Sequence, residues 1–165
     1  MIQVSYKSIG MIHTPYKEQG ITPIQGIYAP DSRGEVEIFP QYVDGLKDIA
    51  GFSHLILIYH FHLSNGYSLL RKPFLDNEKK GIFAIRYFKR PNNIGLSVVR
   101  LYKVSGSILN VGEVDIVDGT PLLDIKPYVP DFDARDNVRN GWYEHASNRA
   151  DYKRNKGIPQ DENVN

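Results

Sequence analysis

The chain has no cysteine among its 165 residues, and this absence excludes several kinds of protein. Without cysteine there is no disulfide framework, no thiolate metal site and no cysteine nucleophile. A chain without disulfides fits a reducing compartment, so we expect the protein to be cytoplasmic.

Net charge and long apolar runs are also scarce. The 20 basic and 19 acidic residues leave a net charge of +1, so contact with a nucleic acid has to come from a local basic patch. The longest apolar run, residues 55–59, is far shorter than the roughly 20 residues of a membrane span. We therefore expect a soluble protein that contacts neither a membrane nor DNA.

Aromatic residues, by contrast, are frequent. The chain has 11 Tyr and 7 Phe, residue types that favour strands, and its length suits one domain with a real core. We predict an all-β fold followed by a polar tail, partly disordered, over residues 136–165. The predicted strands fall at residues 4–12, 35–39, 52–62, 82–85, 96–101, 114–118 and 122–128, and residues 102–111 are predicted as two strands joined by a turn at Gly106.

The stretch from Gly81 to Leu101 joins two of these strands through an unusual loop. It reads GIFAIRYFKRPNNIGLSVVRL and gathers Arg86, Lys89 and Arg90 next to two asparagines. Guanidinium and carboxamide groups are suited to an anionic or hydrogen-bonding ligand. An ordinary solvated loop remains the alternative.

Three histidines lie in the longest predicted strand. His54, His60 and His62 would share one face of it, which could suggest a metal site. At about 3.3 Å per residue, however, His54 is roughly 20 Å from His60, and no third ligand is evident. We predict hydrogen-bonded strand histidines and no metal.

Acidic residues flank a predicted turn at Gly119. Asp115 and Asp118 precede the turn and Asp124 follows it. Because an ionised carboxylate is expensive to bury without donors, these side chains either cap the backbone of the turn or accept hydrogen bonds from a ligand. Both interpretations stay open on chemistry alone.

Four segments together resemble the TsaA-like family, which includes the TrmO-type tRNA (adenine N6)-methyltransferases. They are Gly10–Tyr16 (GMIHTPY), Gly51–Leu55 (GFSHL), Arg90–Ser97 (RPNNIGLS) and Asp115–Tyr128 (DIVDGTPLLDIKPY). The resemblance covers Ile9 to about Asp133. It implies a single-sheet antiparallel β-barrel with short helical additions over residues 1–135, acting as a homodimer. The tail over 136–165 would then be partly disordered or packed on the partner subunit.

The resemblance also implies a methyltransferase that binds S-adenosyl-L-methionine and modifies the adenosine 3′ of the anticodon in tRNA. The implied cofactor contacts are Gln25, Gly26, His62, Leu63, Arg86, Leu96, Asp115, Ile116, Val117 and Asp118. Contacts to the RNA substrate are expected at Lys89, Arg90, Asn92 and Lys126. Asp124 and Tyr128 are the expected catalytic residues, which would orient the accepting amine and take its proton.

This chain departs from the family pattern near its cofactor arginine. The usual Thr-Arg-Ser becomes Ile85-Arg86-Tyr87, and the usual Arg-Pro-Asn-Pro ends in Asn93. With Phe88, Tyr87 enlarges the aromatic surface, which could stack a base or reshape the pocket. We also expect a short form of the family, without the extra C-terminal domain of longer relatives. A small-molecule or peptide acceptor, or a module that binds S-adenosylmethionine without catalysis, therefore remains an alternative.

Overall fold

The computed structural model describes residues 2–146, and most of them belong to eight strands and their connections. The strands are β1 (Gly10–His13), β2 (Arg33–Ile38), β3 (His54–His60), β4 (Leu70–Arg71), β5 (Lys80–Gly81), β6 (Ile94–Ser105), β7 (Ile108–Gly112) and β8 (Thr120–Pro127). Six of them form a closed antiparallel barrel in the order β1-β2-β7-β6-β3-β8, and β4 pairs with β5 in a separate hairpin. The expected all-β, single-sheet barrel is confirmed.

Over the described residues, helical structure is limited to short additions. One α-helix, α1, spans Pro130–Asp133. The 3₁₀ segments are Gln19–Ile21, Gly26–Tyr28, Pro40–Leu46, Ile49–Gly51, Ile82–Ala84 and Gly141–His145.

The barrel interior follows from alternation along the strands. In β6 every second residue is buried from Gly95 to Val99, and in β3 the buried positions are Leu55, Leu57 and Tyr59. Successive strand residues point to opposite faces of a sheet, so this pattern fills the interior with one set of side chains. The core comprises Ile12, Val36, Ile38, Leu55, Leu57, Tyr59, Val99, Leu109, Val111, Val114, Ile116 and Leu122.

A β-bulge in β8 changes which face of the sheet its side chains point to. Tyr59 of β3 pairs with Leu122, but its neighbour Ile58 pairs with Asp124, so Leu123 is the extra residue. Simple alternation would place Asp124 on the same face as the buried Leu122. The bulge instead puts Asp124 on the outer face, opposite the outward-facing Ile58.

Two segments that were predicted as strands have other structures. Residues 82–85 contain the 3₁₀ segment Ile82–Ala84. The carbonyls of Ile82 and Ile85 accept hydrogen bonds from Nη1 of Arg90, at 3.0 Å and 2.8 Å, instead of pairing with a neighbouring strand. Residues 114–118 form a loop. The carbonyl of Ile116 in this loop accepts from the Thr14 hydroxyl (2.8 Å).

The first part of the predicted polar tail is folded onto the barrel. Nε1 of Trp142 donates to the carbonyl of Ala84 at 2.7 Å, and Ala146 is buried. The rest of that predicted tail, residues 147–165, lies outside the described residues, so its order stays a prediction. Within residues 2–146, no helix is long and apolar enough to cross a membrane.

Candidate functional site

A cavity of about 380 Å³ opens at one end of the barrel. Its wall is formed where β3 ends and where β6 and β8 begin, which is one end of the barrel because neighbouring strands are antiparallel. The connections at residues 14–32, 61–93 and 113–119 contribute the rest of the wall. This volume lies in the range of small-molecule sites.

A chain of hydrogen bonds crosses the floor of the cavity. The Ser97 hydroxyl donates to Oδ1 of Asp115 at 2.5 Å, and the Tyr59 hydroxyl lies 3.0 Å from Ser97 Oγ. Since Ser97 gives its only proton to Asp115, Tyr59 is the donor in that second bond. The backbone N–H of Gly26 donates to Oδ2 of Asp115 at 3.0 Å. Asp115 is therefore fixed through both oxygens.

Two glycines make this arrangement possible. A Cβ on Gly26 would lie 1.8 Å from the carbonyl oxygen of Glu113, so only glycine brings this N–H close enough to bond to Asp115. A Cβ on Gly95 would lie 2.2 Å from the ring of Tyr59. Glycine at both positions is thus a requirement of close packing around the floor.

Burial sets the protonation behaviour of the floor. It raises the pKa of Asp115 above its ordinary value, while hydrogen bonds from Ser97 and Gly26 and the nearby Arg86 act in the opposite direction. Burial, with the neighbouring Asp115, also raises the pKa of Tyr59, whose phenol therefore stays protonated. Asp115 nevertheless keeps partial exposure, at the surface of the cavity.

Asp118 lies beside the cavity, outside its lining, and its side chain holds the loop before β8 in place. Its Oδ1 accepts from the backbone N–H of Thr14 at 2.9 Å, and its Oδ2 pairs with Nζ of Lys17 at 2.5 Å. These bonds, the one from Lys17 first, lower the pKa of Asp118. Asp118 thus ties the loop before β8 to the segment after β1, and its bonds do not go to the backbone of the turn at Gly119 as the capping interpretation required.

His62 lines the cavity where β3 ends and is held through one ring nitrogen. Its Nδ1 lies 3.3 Å from Oγ1 of Thr120, whose hydroxyl donates to the carbonyl of Val117 at 2.7 Å. Burial, followed by the neighbouring His60, lowers the pKa of His62, and Asp118 opposes this shift. His62 is therefore mainly neutral at neutral pH.

Aromatic rings form one wall of the cavity. Tyr59 and Phe61 meet edge to face at a centroid distance of 5.4 Å, and Phe61 meets Phe88 at 6.4 Å. Phe88 stacks on Tyr87 at 4.1 Å, and Cζ of Arg71 lies 4.1 Å from the centroid of the Tyr87 ring. Two groups this close cannot share one ring face, so both faces of Tyr87 are already covered. A ligand base can stack on Tyr87 only by displacing one of them.

The two arginines of the wall are held differently. Among residues 2–146, Nη1 of Arg86 makes a single long contact, 3.5 Å, with Oε1 of Gln25, and Arg86 lies in the field of Asp115. Arg90 donates to the backbone carbonyls of Ile82 and Ile85. Arg90 therefore shapes the loop, whereas Arg86 offers its guanidinium to the cavity.

Most of the residues that the resemblance implies for the cofactor do meet in this cavity. Those lining it are Gln25, His62, Leu63, Arg86, Leu96, Asp115, Ile116 and Val117. Gly26 takes part through its bond to Asp115, and Asp118 through the loop. Of the expected substrate contacts, Arg90 lines the cavity, while Lys89, Asn92 and Lys126 lie outside its lining.

The two expected catalytic residues are not brought to the cavity of their own chain. The bulge in β8 turns Asp124 outward, where it pairs with Lys126 at 2.8 Å. Tyr128 bonds through its N–H to the carbonyl of His54 at 3.1 Å, and His54 begins β3, at the end opposite His60. Any role of Asp124 or Tyr128 in catalysis therefore stays a proposal that needs a second chain.

Ser97, Tyr59 and Phe61 belong to the site but were not singled out in the sequence. Ser97 and Tyr59 alternate with apolar residues as inward-facing core positions do. One signal was available: a hydroxyl among apolar strand residues needs a buried partner. In the part of the chain that the structure describes, no group of three or more His, Cys, Asp or Glu residues could hold a metal ion.

The protein is a small closed β-barrel with a candidate ligand site at one end. Aromatic rings form one wall of this site, and a carboxylate and a guanidinium also line it. Residues 11–134 match the family model described as the tRNA-methyltransferase O N-terminal domain. The chain therefore belongs to that family.

Relatives support the same assignment. A "probable S-adenosyl-L-methionine-binding protein" of Pyrococcus abyssi is 53% identical over 156 residues, which cover 94% of this chain and 85% of that protein. The "tRNA (adenine(37)-N6)-methyltransferase" of Escherichia coli K12 is 38% identical over 140 residues, 79% of this chain but only 60% of that enzyme. A crystal structure of TrmO from Pseudomonas aeruginosa matches with a TM-score of 0.72 and 37% identity, over 85% of this chain and 62% of that one.

Proposed function

We propose that the chain is an S-adenosyl-L-methionine-dependent methyltransferase acting on the adenosine 3′ of the anticodon in tRNA, in the cytoplasm. The observation that carries this proposal is that a fixed carboxylate, Asp115, and a guanidinium, Arg86, line the same aromatic-walled cavity. The names of the relatives from P. abyssi and E. coli support both the cofactor and the reaction.

The residues of the cavity fit the chemical groups of that cofactor. Asp115 already accepts one hydrogen bond at each oxygen, yet a carboxylate has about four acceptor positions, so it can also bind ribose hydroxyls or an ammonium group. Arg86 can pair with the methionyl carboxylate. The rings of Tyr59, Phe61 and Phe88 provide surfaces for the adenine base and the sulfonium charge.

When bound, S-adenosylmethionine supplies an electrophilic methyl group. The residues of this chain have to align the accepting nitrogen and exclude water. The fixed floor of Asp115, Ser97 and Gly26 provides the alignment, and the aromatic wall excludes water. Neither task needs a metal or a covalent enzyme intermediate.

The proposed acceptor rests on the relatives and on the charge near the cavity. Lys89, Arg86 and Arg90 give the loop a basic character that suits an RNA backbone. Asn92 is exposed beside them. Lys126, with its partner Asp124, lies on the outer barrel face, so it would meet RNA only as part of a larger surface.

We further propose a homodimer formed through the outer face of β3 and β6. Ile94, Leu96 and Val98 of β6 are 40%, 52% and 38% exposed, and they pair with His60, Ile58 and Ile56 of β3. An apolar sheet face of this kind is typical of an interaction surface. Leu96 also lines the cavity, and Asp124 flanks this outer face. In such a dimer, Asp124 and Tyr128 of one protomer would contribute to the cavity of its partner.

Two measurements test the proposed function. Calorimetry should show S-adenosylmethionine binding to the wild-type protein, and Asp115→Asn should weaken it roughly 10- to 100-fold, because it removes a charged hydrogen-bond acceptor. Mass spectrometry should then detect a methyl group on the anticodon-loop adenosine of tRNA from cells that lack this gene, after incubation with protein and cofactor.

The outcomes separate the alternatives. Methylation of a small-molecule or peptide fraction in place of tRNA would point to another acceptor, whose recognition would involve Ile85, Tyr87, Phe88 and Asn93. Tight binding without transfer to any fraction would leave a cofactor-binding module. Absence of binding would refute the proposal.

A further inference from the structure

We propose that Nε2 of His62 accepts the proton that leaves the methyl-accepting amine. This inference rests on the proposed methyltransferase function and assigns to one residue of the same cavity a role beyond binding the cofactor.

The hydrogen bonds of Thr120 determine which nitrogen of His62 carries the proton. The Thr120 hydroxyl has a single proton, and its bond to the carbonyl of Val117 (2.7 Å) is much shorter than its contact with Nδ1 of His62 (3.3 Å). Because a carbonyl can only accept, the proton of Thr120 points to Val117. Oγ1 of Thr120 therefore accepts from Nδ1–H of His62. The neutral ring is then left with its lone pair on Nε2.

No bond within residues 2–146 occupies that lone pair, since the only hydrogen bond of the His62 ring is at Nδ1. The ring lines the cavity. Fixing one nitrogen by a hydrogen bond while the other stays basic is the usual arrangement of a histidine that transfers protons. His62 is thus oriented for this chemistry before any substrate binds.

Asp115, Tyr59 and the two arginines also line the cavity but have other roles. Asp115 is assigned to the cofactor, which takes its remaining acceptor positions. The Tyr59 phenol is protonated and donates to Ser97. Arginine side chains stay protonated in proteins, which removes Arg86 and Arg90. Asp124 faces outward, and Tyr128 bonds to His54 at the opposite end of β3.

Burial keeps His62 neutral, and the surrounding charges act on it in both directions. Burial, followed by His60 at the end of β3, lowers its pKa, and Asp118 from the loop before β8 raises it. Asp118 is paired with Lys17, which weakens its effect. Asp115, Arg86 and Arg90 border the same cavity. Burial is the largest of these influences, so the ring is free to accept a proton over the neutral range.

The step conserves atoms and charge. The lone pair of the amine nitrogen forms the new N–C bond while the C–S bond breaks and its electron pair stays on sulfur. The proton of the amine passes to Nε2 of His62. The resulting imidazolium returns that proton to solvent before the next turnover.

The main test is His62→Asn, whose side-chain N–H₂ can still donate to Thr120 while the basic Nε2 is lost. At saturating S-adenosylmethionine, where a lost cofactor contact has no effect on the rate, kcat on tRNA should fall roughly 100-fold or more, the usual contribution of a general base. His145→Asn is the matched control, because His145 is exposed and lies outside the cavity lining. It should change kcat by no more than about twofold.

A second readout does not depend on activity. Nitrogen-15 NMR of the histidine rings should show His62 as the Nδ1–H tautomer, with a pKa below the ordinary value of about 6.5. In the wild-type protein kcat should rise with pH up to that pKa and then level off, and His62→Asn should lose the rise. An Nε2–H tautomer, or unchanged kcat in His62→Asn, would overturn the inference while leaving the proposed function intact. A wild-type protein that neither binds the cofactor nor methylates tRNA would instead refute the proposed function.

Discussion

At the scale of single residues, Asp115 shows how the barrel makes a buried charge tolerable. Ser97 reaches it from β6, Gly26 from the long first loop and Arg86 from the loop before β6. A buried carboxylate without such partners would be very unfavourable. Even with them its pKa is raised, so the folded protein holds this proton more tightly than the unfolded chain does.

This raised pKa predicts an unusual dependence of stability on pH. Between the ordinary value near 3.8 and the higher folded pKa, the folded state binds more protons, so the contribution of Asp115 to stability falls as pH rises. Asp115→Asn should remove that decline. Urea unfolding at intervals from pH 4 to pH 7 would measure it.

Asp118→Asn is the matched control and should act in the opposite sense. Bonds from Lys17 and Thr14 lower the pKa of Asp118, so its contribution is present above the unfolded value near 3.8 and is lost as pH falls through the folded pKa. If the two variants had the same pH profile, the assigned difference between the carboxylates would be wrong.

At the scale of elements, the β4–β5 hairpin is tied to the cavity wall mainly through Tyr87. Arg71 of β4 covers one face of that ring and Phe88 covers the other. The backbone N–H of Ile82 also donates to the carbonyl of Leu69 at 2.9 Å. The hairpin and the loop carrying Arg86 therefore form one unit.

Removing the guanidinium should loosen this unit without unfolding the barrel. In Arg71→Ala, hydrogen exchange at the hairpin amides should speed up about 2- to 30-fold, since a cation–π contact is worth roughly 0.5–2 kcal/mol. Lys72→Ala, an exposed neighbour, should leave exchange unchanged. Equal effects of the two variants would show that general charge, not the contact with Tyr87, holds the hairpin.

The sequence predicted the barrel and most of the cavity, and its errors have physical causes. The alternation of apolar and polar residues predicted β2, β3 and β6, because each of these strands buries one face. The strand prediction was wrong at Ile82–Ala84, where backbone carbonyls accept hydrogen bonds from Arg90 instead of from a neighbouring strand. It gave no warning that Asp124 faces outward, because the bulge at Leu123 depends on pairing with β3. Most of the cofactor residues proposed from the family motifs line one cavity, whereas the orientation of His62 required coordinates.

At the scale of the whole molecule, the exposed apolar face of β3 and β6 should decide the oligomeric state. In Val98→Glu, a charge in the middle of this face should shift the mass measured by light scattering from two chains to one. Lys103→Glu, an exposed position further along β6, should leave the dimer unchanged. A wild-type protein that is monomeric at all concentrations would contradict the proposed interface.

The closed ring of strands also has an evolutionary consequence. β1 pairs with both β2 and β8, so no barrel strand offers a free edge, and the stability of the ring depends little on the long connections at its cavity end. Mutations there can accumulate while folding is preserved. Ancestral barrels of this kind could therefore have acquired new acceptors by exchanging residues 61–93 alone, and transplanting that segment between relatives is a direct way to reconstruct such a change.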